Sequence, residues 1–153
     1  MNVNIRVKDE HESGEVASQI GKNLAGGECI EFVSDLGGGK TTFIREMVSA
    51  AGSTDIVSSP TFTVGKQYKT PNLQIYHYDF YRLHEPGLVS EELREALEDK
   101  DAVVLIEWGE TVSEVLPEQR IRITIDKLAD NPTGRSYAID IPEEFQYVAE
   151  GLQ

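Results

Sequence analysis

Basic residues and sulfur are scarce in these 153 residues: 14 Lys and Arg stand against 27 Asp and Glu, with one cysteine and two methionines. A single thiol, Cys29, excludes an internal disulfide and a cysteine-built metal site. Set among apolar neighbours, it is expected to be buried and inert. The formal charge of −13 comes without any basic run. Lysines and arginines are what displace counterions from a phosphate backbone, so the chain alone is not expected to bind RNA or DNA. Such an acidic surface serves solubility, and it would equally suit a basic partner protein. Long apolar runs are missing too. The longest, residues 102–106, falls far short of the ~20 residues that span a bilayer. Residues 1–10 hold no apolar export signal, so no membrane association and a cytoplasmic location are expected.

What is present reads as one globular domain over residues 1–153, because 39% hydrophobic and 27% charged content is ordinary for a packed core. No repeat or linker divides it. Residues 2–7 alternate polar and apolar side chains and predict a strand. Val16, Ile20 and Leu24 recur at helical spacing, predicting a helix over 13–24 that Gly26-Gly27 ends. A strand over 28–33 follows, then a glycine loop, then a helix over 41–51 whose apolar face is Phe43, Ile44, Met47 and Val48. Residues 61–69 and 73–79 read as strands joined by a turn at Thr70-Pro71-Asn72. Ser90 caps a predicted helix reaching about Asp99. Residues 102–108 form the most apolar strand, expected to be central and covered on both faces. The pair 120–126 and 136–141 closes the chain around a turn at 131–134. The fold class is therefore α/β, a P-loop-like mixed and largely parallel sheet flanked by helices, with a C-terminal antiparallel strand pair.

The glycine loop carries the chemistry. Backbone N–H groups that curl around a phosphate need residues without a Cβ, and Gly37, Gly38 and Gly39 supply them. The helix opened by Lys40, Thr41 and Thr42 would aim its N-terminal N–H groups at the same anion. Lys40 would reach the β- and γ-phosphates, and the Thr41 hydroxyl would hold a magnesium ion, so the expected ligands are ATP and Mg2+. Ser34 stands where the strict phosphate-loop pattern has its first glycine. Serine costs little there if the backbone is extended and strains the loop if φ is positive.

Four motifs in order then resemble the TsaE family, P-loop ATPases of bacterial tRNA threonylcarbamoyladenosine synthesis. They are Ser34 to Phe43 (SDLGGGKTTF), Ser59 to Phe62 (SPTF), His77 to Arg82 (HYDFYR) and Glu107-Trp108. The likeness spans roughly residues 13–135. It implies a Mg-dependent ATPase that supports turnover of a TsaB–TsaD complex, with no tRNA binding by this chain alone. It also implies that Asp79 lies near the γ-phosphate and metal, and that the Gly134-Arg135 pair lies near the nucleotide.

Other roles follow from the residues themselves. Glu107 ends a buried strand beside the loop, where a carboxylate can hold magnesium or orient the attacking water. Trp108 is either a core anchor or a nucleotide neighbour. Asp79 has the alternative role of capping the turn at Phe80. His77, two residues earlier, faces the same side of the strand and is read as a structural histidine. Thr61 is either a γ-phosphate contact, as in nucleotide switches, or a plain strand entry. Lys40, Glu107, Asp79 and Thr61 are thus the expected catalytic group. The chain supplies no obvious arginine for the γ-phosphate, so turnover is expected to be slow without partners. Two alternatives stay open: a nucleotide-dependent binding module with incidental hydrolysis, and a small-molecule kinase, although no arginine-rich lid is visible. A guanine-reading Asn-Lys-x-Asp sequence is absent, which disfavours GTP.

Overall fold

The structure is a computed structural model that describes residues 1–35, 39–57, 65–81, 87 and 89–152. In chain order it contains β1 (Asn2–Val7), α1 (Glu10–Asn23), β2 (Cys29–Val33), α2 (Lys40–Ala50), β3 (Gly65–Lys69), β4 (Gln74–Asp79), α3 (Val89–Glu98), β5 (Ala102–Glu107), β6 (Ile121–Leu128) and β7 (Asn131–Asp140). Two 3₁₀ segments follow β5 and β7, at Gly109–Val112 and Glu143–Ala149. The strands make one sheet in the order β1-β7-β6-β2-β5-β4-β3. Pairings β6–β2, β2–β5 and β5–β4 are parallel, whereas β1–β7, β7–β6 and β4–β3 are antiparallel. The expected mixed α/β sheet is therefore found, with its parallel part at the centre and an antiparallel C-terminal pair.

Period-2 alternation sorts β5 onto two faces. Val103 and Leu105 join α1 and α2 in a cluster with Ile20, Phe43, Ile44 and Met47. Val104 and Ile106 point the other way, to Leu93 and Ala96 of α3. All six β5 residues are buried, as expected for a parallel strand covered on both sides. Glu107 shares the odd-numbered face, which is the α2 side. Cys29 is buried on the α3 side, and burial pushes its thiol up to about 12, so it is inert at neutral pH.

Several boundaries differ from the sequence reading, each for a visible reason. Helix α1 starts three residues before Ser13, because Asp9 is the cap: its carboxylate accepts from Glu12 N at 2.9 Å, and Glu12 Oε1 accepts from Lys8 N at 2.8 Å. Ser13 is instead inside the helix, where its Oγ accepts from the Tyr137 hydroxyl at 2.8 Å. Leu24, not a glycine, ends α1. The Gly26-Gly27 pair forms the next turn, at φ 108° and 90°, with the buried Glu28 carboxylate accepting from Ala25 N and Gly26 N. Ser90 lies within α3 rather than capping it. The β6–β7 turn is Ala129-Asp130, not residues 131–134, since Leu128 pairs with Asn131. Pro132 is tolerated in β7 because β1 pairs only from Arg135 onward. The 3₁₀ segment Glu143–Ala149 had no sequence signal. It lies along α1, whose Asn23 Nδ2 donates to Val148 O at 3.0 Å.

Candidate functional site

The C-terminal ends of the parallel strands meet the start of α2, and there the polar residues gather. Lys40 is the first residue of α2 and only 6% exposed. Behind it Gly39 adopts φ 96°, a left-handed conformation that glycine takes without strain. Ser34 does not share it: among the described residues Trp108 is the single non-glycine with positive φ. Serine is thus accommodated at the strand exit, and the question raised by the missing first glycine is answered on the backbone. Gly37 and Gly38 lie outside the described residues, as do Thr61 with the rest of its motif, and Arg82. Thr41 and Thr42 follow Lys40 in the first turn of α2 and are half-buried.

Parallel pairing puts two acids side by side at the strand ends. Glu107 is opposite Phe32 on one side and Asp79 on the other. Its Oε1 lies 3.8 Å from Lys40 Nζ, and its Oε2 lies 2.6 Å from His77 Nε2. Glu107 is 3% exposed and His77 fully buried. A buried ion pair offers little net stability, because desolvating both charges offsets their attraction. Asp79 is half-buried; burial above all, and then the Glu107 charge, hold its carboxyl above the ordinary range, against the opposing hydrogen bond from Tyr81 N. That N–H donates to Asp79 Oδ1 at 3.0 Å, so the turn-capping role and a place beside Glu107 coexist.

Trp108 leaves β5 with φ 57°, a conformation that costs a bulky residue roughly 1–3 kcal/mol. At Gly109, which follows, a Cβ would stand 2.8 Å from Glu31 Oε2 and 3.1 Å from the Ile106 and Leu116 side chains, so those neighbours would have to give way. The strained exit turns the indole toward the loop: Lys40 Nζ sits 4.6 Å from the ring centre and the Tyr81 ring centre 5.0 Å away. The same half-buried ring packs against the α3-side core cluster, so it sits both on the core and beside Lys40. It also borders a cleft of about 250 Å³ with Ser34, Asp35, Glu110 and Asp126. A larger cavity of about 690 Å³ opens between β1 and α1, away from this cluster and without its chemistry. Arg135 Nε is 3.6 Å from where a Cβ on Gly39 would lie, while its Nη1 donates to Pro132 O and Gly134 O. A guanidinium therefore does stand at the loop, from a strand far away in sequence.

Lys40, Glu107, Asp79, Trp108 and Arg135 are thus brought together with Gly39, Thr41 and Thr42. The sequence reading undervalued His77, although its spacing of two from Asp79 along a strand was the available signal. Comparison with known proteins places the chain in a family. The profile of the family described as "Threonylcarbamoyl adenosine biosynthesis protein TsaE" matches residues 7–136. The chain belongs to the TsaE family. Among TsaE relatives, the protein named tRNA threonylcarbamoyladenosine biosynthesis protein TsaE from Rickettsia felis is 35% identical over 127 residues, 82% of this chain and 73% of that protein. Its namesake from Bacillus subtilis is 34% identical over 129 residues, 82% of this chain and 78% of that one. The crystal structure of Bacillus subtilis YdiB superposes with a TM-score of 0.78 at 27% identity, covering 98% of this chain and 93% of that chain. The TsaE match spans every site residue named above, from Ser34 to Arg135. No helix among the described residues is long and apolar enough to cross a membrane.

Proposed function

We propose that this chain binds ATP with magnesium and hydrolyses it as an accessory subunit of tRNA N6-threonylcarbamoyladenosine formation, supporting turnover of TsaB and TsaD proteins. One arrangement carries the reading. A buried lysine opens a helix behind a left-handed glycine and lies within 3.8 Å of a buried carboxylate at the end of a central parallel strand. The names of the TsaE relatives supply the pathway.

The residues fit a magnesium ion. Mg2+ prefers hard oxygen donors and usually keeps waters and substrate phosphates in its shell. Thr41 would offer a hydroxyl and Glu107 a carboxylate, the latter 3.8 Å from Lys40 Nζ. When bound, the ion neutralises charge on the phosphates. The chain's own groups do the rest. The first N–H groups of α2 and its dipole favour the anion. Lys40 exchanges Glu107 and Trp108 for phosphate oxygen, and that exchange frees Glu107 Oε1. Glu107 or Asp79 then orients the attacking water. Trp108 and Tyr81 shield the site, and Arg135 adds positive charge at the loop.

Phosphate release by the chain alone, with TsaB and TsaD, and by the Lys40→Ala variant tests this reading. The expected result is slow release alone, acceleration by the partners, and loss in the variant. Turnover indifferent to the partners would sink the accessory role. Nucleotide binding without any release would favour a binding module instead. With a charge of −13, the chain reaches tRNA only through its partners.

A further inference from the structure

The geometry points to His77 as a positioning residue that decides which oxygen of Glu107 faces the nucleotide, an inference resting on the ATPase reading of the same site. His77 projects from β4 onto the face shared with Glu107, reaching one register step along the sheet, since its Cα partner is Leu105. The ring is fully buried, and Nε2 meets Glu107 Oε2 at 2.6 Å. Its other nitrogen, Nδ1, has no hydrogen-bond partner among the described residues. Nε2 is the nitrogen that meets the carboxylate, so Glu107 and the ring hold one another in place. Tyr68 packs beside it, the ring centres 6.3 Å apart, and fixes its plane.

Oε2 is occupied by this bond, so Oε1 is the oxygen turned to Lys40, at 3.8 Å, and hence to the phosphate side. A carboxylate without the His77 bond could rotate about its terminal torsion, which is broad and roughly two-fold. It would also share its face with Asp79, its strand neighbour, and be repelled by it. His77 holds Glu107 in one orientation. Outer partners of this kind commonly govern activity through the residue they hold.

The test is a double-mutant cycle on the full chain under conditions in which wild type turns over ATP, with ATP binding and thermal unfolding measured for each variant. His77→Ala should lower kcat by ~10–100-fold, the usual effect of losing an outer partner, while ATP affinity stays within ~3-fold because Lys40 and the loop amides remain. His77→Gln, whose amide N–H reaches the place of Nε2, should recover most of that loss and guards against a simple folding defect. In a Glu107→Ala background His77→Ala should change kcat no further, since its effect passes through Glu107. An unchanged kcat in a folded His77→Ala protein would overturn the inference while leaving the ATPase reading intact. So would a loss of equal size in the Glu107→Ala background, or no recovery in His77→Gln. Wild type that binds no nucleotide would overturn the reading of the site, and the role of His77 with it.

Discussion

The Lys40 ammonium lies 4.6 Å from the centre of the Trp108 ring, which makes the single tryptophan of the chain an internal reporter of where that ammonium lies. On the proposed reading, bound phosphate would draw the ammonium off the indole face. ATP titration is therefore expected to change the tryptophan emission in a saturable way. Lys40→Ala should start from a different emission and bind ATP at least ~10-fold more weakly, since a hydrogen bond to a charged group contributes about 1.5–3 kcal/mol. Unaltered binding by calorimetry would remove Lys40 from the site.

Glu107→Ala separates binding from chemistry. The variant should bind ATP within ~10-fold of wild type yet hydrolyse it ~100-fold or more slowly, as for a lost transition-state contact. Single-turnover hydrolysis checks this. A variant as fast as wild type would shift attention to Asp79.

Asp79 carries a pH signature. Burial and the Glu107 charge raise its carboxyl in the folded chain above the ordinary value of 3.8. Ionising it therefore costs folded-state stability as pH rises through the unfolded value to the folded one, and the cost is complete above both. Asp79→Asn keeps an acceptor for Tyr81 N and removes the charge. Its melting temperature should exceed that of wild type by roughly 1–3 °C at pH 7.5, small because the side chain is partly solvated. The advantage should vanish below the ordinary carboxylate range. Hydrolysis should fall in the same variant, so a gain in stability would accompany a loss of activity.

Backbone conformation distinguishes two positions of the loop. Among the described residues, the nearest atom to a Gly39→Ala Cβ is 3.6 Å away, but the substituted residue must hold φ 96°. A cost of roughly 1–3 kcal/mol should appear as a lower melting temperature or weaker ATP binding. Ser34→Gly should leave ATP affinity equal or slightly higher, because Ser34 is not in the left-handed region. A clear loss in that variant would assign the serine hydroxyl a contact with the ligand.

The sheet was legible because its strands carry the simplest signal, apolar runs or alternation bounded by glycine and polar turns, and β1 is found with the bounds read from the sequence. The loop was legible because Gly-Lys-Thr between a strand and a helix has few other uses. Helix ends were less so. Ser13 has the chemistry of a cap and is instead held by Tyr137, 124 residues away, a contact that local pattern does not contain. Similarly, Arg135 reaches Gly39 only because β7 lies beside β6 in the sheet. His77 was visible as a strand residue, but its bond to Glu107 depends on β4 pairing with β5 in one register, and register is a property of the assembled sheet.

Gly21 gives α2 its stiffness. A Cβ on Gly21 would stand 2.2 Å from Met47 O and 2.9 Å from Ala50 Cβ, so the backbone of α1 lies directly against the last turns of α2. Helix α1 is held in turn by Asn23 to the C-terminal segment and by Ser13 to Tyr137. The far end of α2 is thus seated against α1 like the fixed end of a beam. On the proposed reading, Lys40 would pass from Glu107 to phosphate by rotating about its own side-chain bonds, a motion quicker than the collective shift of packed helices.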